Sequence, residues 1–159
     1  MDFLEAINQG LEKATAAERS IIEVNEAFQR VNTSLKSFPA ATISIERGTQ
    51  TNIFETLNML QGSTTTSSLS NSEFHPQNAL YLVAKHREGD SSARKKIANW
   101  KQHVNGFPCT ISYEGEKQTC YSGEDLAASF GELFSSVGFG KALLELLNIP
   151  AVSGEPGEI

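Results

Sequence analysis

The chain has 159 residues, 39% of them hydrophobic and 20% charged, which suffices for one domain with its own core and no metal or disulfide staple. A net charge of -6 and a pI near 5.1 argue against a protein that wraps nucleic acid over its whole surface, although a local basic site remains compatible with them. Acidic Asp2, Glu5, Glu12, Glu18, Glu23 and Glu26 occupy the start, where a secretory signal would be basic and then apolar; no window reaches the roughly 18 apolar residues of a membrane span, so the chain reads as cytoplasmic.

From Phe3 to Leu35, apolar residues recur in steps of three and four: Leu4, Ile7, Leu11, Ala14, Ala17, Ile21, Val24, Phe28, Val31 and Leu35. This spacing predicts one helix, about 50 Å long at 1.5 Å per residue, more than a domain of this size easily covers. Two arrangements satisfy it. Gly10 can break the helix into two pieces that both pack on their own domain, or the helix can pair with a copy of itself or another protein, using Ile21 and Phe28 in the seam and Asn25 and Asn32 to fix register. The stripe thins at Ala14 and Ala17.

After Pro39 the period changes to two, and Ala41, Ile43 and Ile45 alternate with Thr42, Ser44 and Glu46 in a first strand over about 40–46, closed by Gly48. A short helical group, Ile53 to Leu60, leads into the uncharged polar run Gly62 to Ser72, which reads as a loop. The apolar run Ala79 to Ala84 predicts a central strand over 79–85. Asp90 or Ser91 is then positioned to cap a helix from about Ala93 to Val104 with an inner stripe of Ala93, Ile97, Trp100 and Val104. Strands over about 107–113 and 116–121 form a hairpin. Ser122 with Asp125 has capping-box spacing before a helix carrying Leu126, Phe130, Leu133 and Phe134; Gly138 and Gly140 separate it from a last helix, Ala142 to Leu147, and a frayed tail.

The only cysteines lie in that hairpin. A two-residue turn at Glu114-Gly115 places Cys109 opposite Cys120, at a separation a disulfide tolerates, whereas a bulge at Gly115 would set Cys109 against Thr119. The pair also falls at a hydrogen-bonded position, and a cytoplasmic setting favours reduced thiols. A structural zinc site needs about four ligands, but His75, His86 and His103 are scattered; His103 as a base for Cys109, or Glu73 beside His75, lacks the remaining residues of a catalytic motif. The sequence therefore assigns no catalytic residue, metal or cofactor.

Charge is segregated. Lys85, Arg87, Arg94, Lys95, Lys96 and Lys101, against Glu88 and Asp90, give a local charge near +4. On the expected helix Arg94 and Lys101 share a face and Lys95 lies alongside, a patch suited to phosphates, a nucleic-acid backbone or an acidic partner. "VGFGKALLELL", from Val137, lacks the first glycine and the hydroxyl of a phosphate loop, although the start of its helix can attract an anion.

The expected architecture is α+β: a long N-terminal helix over residues 1–37, a compact domain over 38–149 with a small, mostly antiparallel sheet and packed helices, and a tail over 150–159. The expected function is that of a non-enzymatic interaction module (adaptor, inhibitor or assembly factor) that binds a protein partner or itself through the N-terminal helix and the basic segment. The alternatives are a nucleic-acid or phosphate binder, or a small enzyme on an anionic substrate with His86 or His103 as its acid-base group.

Overall fold

The computed structural model describes residues 1–39, 41–50, 74–85 and 92–148. The order of elements is α1 (Phe3–Leu35), β1 (Thr42–Gly48), β2 (Ala79–Lys85), β3 (Ser92–Gln102), β4 (Cys109–Tyr113), β5 (Glu116–Cys120), α2 (Gly123–Phe134) and α3 (Val137–Asn148). The strands form one 5-stranded antiparallel sheet in sequential order, a meander in which each strand pairs with the next. The α+β class, the long first helix, the antiparallel sheet with its late hairpin and the packed helices all agree with the sequence. Residues 53–60, the run from Gly62 to Ser72, His86, Arg87 and the tail over 150–159 lie outside the described residues.

One expected element is wrong in type. Residues 93–104 do not form a helix; those up to Gln102 belong to β3, the longest of the described strands, and His103 and Val104 follow its end. Register shifts between Leu80 and Tyr81 of β2, where Lys96 pairs with Tyr81 but Ala98 pairs with Leu80, so Ile97 is an extra residue in β3. That bulge converts strict alternation into a step of three, and alternation plus one step of three imitates a helical stripe.

Alternation along each strand separates two faces. Ile43 and Ile45 of β1, Leu80, Leu82 and Ala84 of β2, Ala98 and Trp100 of β3, Ile111 of β4 and Cys120 of β5 are buried on one face, with Val24 and Phe28 of α1, Leu126, Phe130 and Leu133 of α2, and Phe139, Ala142 and Leu146 of α3 in the same core. The described helices therefore cover one side of the sheet. The Phe28 ring meets Trp100 edge-on at 5.2 Å and Phe130 at 5.0 Å, joining α1, β3 and α2 at one point.

Ser122 caps α2 by accepting from the Asp125 backbone N–H, and Asp125 reaches back to the Tyr121 N–H, a variant of the expected capping box. The next boundary differs from expectation. Gly138 and Gly140 lie inside α3; the break falls at Ser135-Ser136, where the Ser136 hydroxyl accepts from the Phe139 N–H.

Asn32 does not fix a helix-pairing register. Its side-chain amide donates to the Ile45 carbonyl at 3.1 Å and accepts from the Ile45 N–H at 2.7 Å, covering the outer edge of β1 as another strand would. Replacing Asn32 with Leu leaves both Ile45 groups partly buried and unpaired, so urea unfolding should give a loss of about 1–3 kcal/mol.

Candidate interaction surfaces

α1 is continuous through Gly10, and its two halves differ. Val24 is fully buried, whereas Phe3, Leu4, Ile7 and Leu11 are 70%, 72%, 58% and 61% exposed. The boundary between the halves is set at Ser20 to Glu23. Gly106, at φ +102°, approaches α1 so closely that a Cβ there would lie 2.6 Å from the Ser20 Cβ, and the Glu23 carboxylate accepts from the Gly123 N–H at the start of α2. Before Ala17 every residue of α1 is exposed. The result is an arm, about 25 Å of helix standing off the domain, capped at its start by the Asp2 carboxylate, which accepts from the Leu4 and Glu5 N–H groups.

Two apolar lines run along α1. At about 100° per residue, Leu4, Ile7, Leu11 and Ile22 cluster roughly 130° around the helix from Val24, Phe28, Val31 and Leu35. Ile22, next to half-buried Ile21, is 55% exposed, as membership of the outer line requires. A stripe spaced in threes and fours winds around a straight helix by about 20° per heptad, so it cannot face one domain over its whole length. Phe28 is thus a core residue and offers no surface to a partner, and Ile21 is largely taken up by the domain. The free apolar surface belongs to residues N-terminal of them and to Ile22.

The second surface is the sheet face opposite the helices. Alternation and the bulge place Lys85 of β2, Arg94, Lys96 and Lys101 of β3, and Lys117 of β5 on it, with Glu46 of β1 as the carboxylate among the described strand residues. The Arg94 guanidinium lies 3.9 Å over the Tyr81 ring, the Lys101 ammonium 4.2 Å over the Phe74 ring, and Lys96 donates to the Gln50 side chain. An open hollow of about 720 Å³ is lined by Phe74, Lys96, Asn99, Lys101, Ser112 and Lys117. Lys95 does not belong to this patch. It projects from the other face and pairs with Glu145 of α3, so the structure brings together Arg94 and Lys101 and removes Lys95 from them. Lys117 was missed because it lies outside the basic segment in sequence and joins it only through β4–β5 pairing.

Cys109 pairs with Cys120, as a two-residue turn at Glu114-Gly115 requires, with φ +48° and +79° at the turn residues. Both are free, buried thiols facing the core. The Cys109 thiol donates to the Gly106 carbonyl at 3.2 Å, and Cys120 shares a hydrogen bond with the Ser129 hydroxyl at 3.1 Å. Burial, reinforced by Cys120 and opposed by Arg47, pushes the Cys109 thiol up to about 12, and burial also raises Cys120. Thiols held in this direction are poor nucleophiles at neutral pH. His103 accepts from the Asn105 N–H through Nδ1, and His75 from the Gln77 N–H, so each imidazole is tied to its own turn. Among the described residues no cluster of three or more His, Cys, Asp or Glu side chains could hold a metal. The anion-attracting start of α3 is taken by the hairpin itself, since the Gly138 N–H donates to the Glu114 carboxylate at 3.2 Å.

Comparison of the chain with protein-family models, curated proteins and solved structures finds no match in any of the three. No described helix is long and apolar enough to cross a membrane.

The thiol environment has a signed consequence. Because the folded state holds the Cys109 proton up to about 12 while an exposed thiol loses it near 9, the stability this group contributes is complete below pH 9 and is lost as pH rises toward 12. Urea midpoints of the parent and Cys109→Ala between pH 8 and 11 should converge as pH rises. In the native protein at pH 7.5 a maleimide should label neither cysteine within minutes, and both once urea unfolds the chain.

Proposed function

We propose that this protein is a non-enzymatic interaction module whose contact element is the free N-terminal half of α1. One observation carries the reading: Leu4, Ile7 and Leu11 are exposed along one line of α1, in the half where every residue before Ala17 is exposed. An isolated helix of this length is marginal in water, and tertiary packing normally supplies the stability of such an element. Aligned exposed leucine and isoleucine side chains on a continuous helix match the anchor spacing by which an amphipathic helix seats itself on another protein. The Asp2 cap and Glu5 in the first turn keep the arm helical before it meets that surface.

The basic sheet face supports a second reading, a nucleic-acid or phosphate-binding surface. The observation in its favour is the convergence of Arg94, Lys96, Lys101 and Lys117 on one side of the sheet. The net charge of -6 weighs against a large polyanion, which the rest of the surface repels.

The arm is tested with a photo-crosslinking amino acid in place of Ile7 in cells. The expected outcome is a discrete covalent adduct with a protein, either a second copy or another chain, that disappears when Leu4 and Leu11 are changed to Glu. A crosslinker at Gln29, exposed but off the arm, should give none. The Leu4→Glu, Leu11→Glu variant should unfold within about 0.5 kcal/mol of the parent, since these side chains leave the core untouched. Absence of any mutation-sensitive adduct removes the reading.

A further inference from the structure

We infer that the outer edge of β5 takes up an extended, lysine- or arginine-rich segment of another protein as an added antiparallel strand, a contact separate from the arm. The first observation is a contrast between the two edges of the sheet. On β1 the outward Ile45 groups are covered by Asn32. On β5 the two-residue turn fixes what points outward. Tyr113 with Glu116, Ile111 with Gln118 and Cys109 with Cys120 exchange the ladder bonds, so the N–H and C=O groups of Lys117 and Thr119 point away from β4. Among the described residues nothing bonds these groups, and both side chains are exposed. The free edge ends at Tyr121, whose N–H donates to the Asp125 carboxylate. Unpaired backbone of this kind is a template for one more strand.

The second observation selects the occupant. Side chains alternate along β5, with Glu116 on the helix side and Lys117 on the other. On the helix side a hollow of about 780 Å³ opens beside Glu116 and is lined also by Glu114 and Glu132. All of these carboxylates are exposed, and among the described residues no cation lines the hollow. Glu114 and Glu132 accept from the Gly138 N–H and the Gln118 amide, whereas Glu116 has no partner among the described residues. Ala128 and Gly131 of α2 leave room there; a Cβ at Gly131 would meet nothing within 4 Å. The Tyr113 hydroxyl senses the same field, since burial and then Glu116, Glu132 and Glu114 raise its pKa against the opposing Gln118 hydrogen bond. A second copy's β5 is the wrong occupant, because pairing two such edges brings their carboxylates together.

Register then dictates the pattern of the segment. In an antiparallel ladder the residues that exchange bonds lie opposite each other and share a face. Those bonded to Lys117 and Thr119 therefore project on the Lys117 side, where a cation is repelled. The alternate residues project on the helix side, toward Glu116 and Glu132. Basic and uncharged residues must alternate, and a slip by one residue sets every cation on the wrong face.

The test uses the full chain and a fluorescein-labelled peptide of about eight residues in which lysine alternates with threonine, longer than the roughly 17 Å of β5. Anisotropy at low salt should show binding, and its glutamate-threonine counterpart should not bind. Backbone N-methylation of the threonines removes the donors that face β5 and should weaken binding about tenfold, whereas N-methylation of the lysines should change it less than about threefold. Glu116→Gln with Glu132→Gln, both at exposed positions, should weaken it about fivefold. Thr119→Pro deletes an outward N–H that the β4–β5 ladder does not use and should also weaken binding about tenfold, with far-UV circular dichroism unchanged. Amide exchange at Lys117 and Thr119, fast in the free protein beside a protected Gln118, should slow when the peptide is added. No binding by the parent overturns the inference. Equal affinity of the parent for all N-methylated forms also overturns it, because charge alone then holds the peptide. Binding abolished by Leu4→Glu with Leu11→Glu overturns it by placing the peptide on the arm.

Discussion

The seating of Phe28 is the constraint on which the rest of the molecule depends. Its ring touches Trp100 of β3 and Phe130 of α2, and the Arg47 guanidinium of β1 lies 4.4 Å over its face. Four elements are thereby tied to one side chain. Arg47 reaches that position half-buried, where loss of water lowers its pKa, and it is satisfied by neutral acceptors, donating to the Asn25 side chain at 2.9 Å and to Gln102 at 3.0 Å. Side-chain carbonyls and an aromatic face stabilise the cation without a second buried charge, which avoids the larger desolvation cost of a buried ion pair. Gln102, itself buried, is retained in an apolar core for this reason.

Once Phe28 is fixed, the direction of α1 is fixed with it. α1 is one uninterrupted helix, its inner apolar line packs in the core with the sheet and α2, and the slow winding of a stripe spaced in threes and fours carries the earlier residues away from the core. The arm is therefore a geometric consequence of where the anchor lies. Its exposure does not reflect weak local structure: the Asp2 cap satisfies the Leu4 and Glu5 N–H groups, and residues through Leu35 form one uninterrupted helix.

How far this was legible in the sequence depended on whether the signal was local. The hairpin was legible because two turn residues set the pairing: of the two registers the sequence allows, the structure has the one with a two-residue turn, and the positive φ of Glu114 and Gly115 matches the twist of the flanking strands. The long helix was equally plain, but a one-dimensional stripe has no phase relative to a core that is not yet placed, so Phe28 and Leu4 looked equivalent. β3 was misread for a different reason. Its bulge at Ile97 puts Ala93, Ile97 and Trp100 at helical intervals, and its lysines supply the polar face a surface helix would have. Seen on a strand, the same bulge keeps Lys96 and Lys101 on one side of the sheet although they are five residues apart. The basic segment was recognised, but its membership was not, because Lys117 joins and Lys95 leaves through pairings distant in sequence.

The arm and the basic side of the sheet both lie away from the core in which the described helices pack. An antiparallel meander tolerates polar residues on one face, and the sheet side opposite the described helices carries exposed Arg94, Lys101 and Lys117 beside buried Ala79 and Val83. Placing the cations there and leaving carboxylates along the arm separates charge within a chain whose total is -6. Such separation does little for stability, since exposed charges contribute roughly 0–1 kcal/mol each, but it orients encounters between molecules.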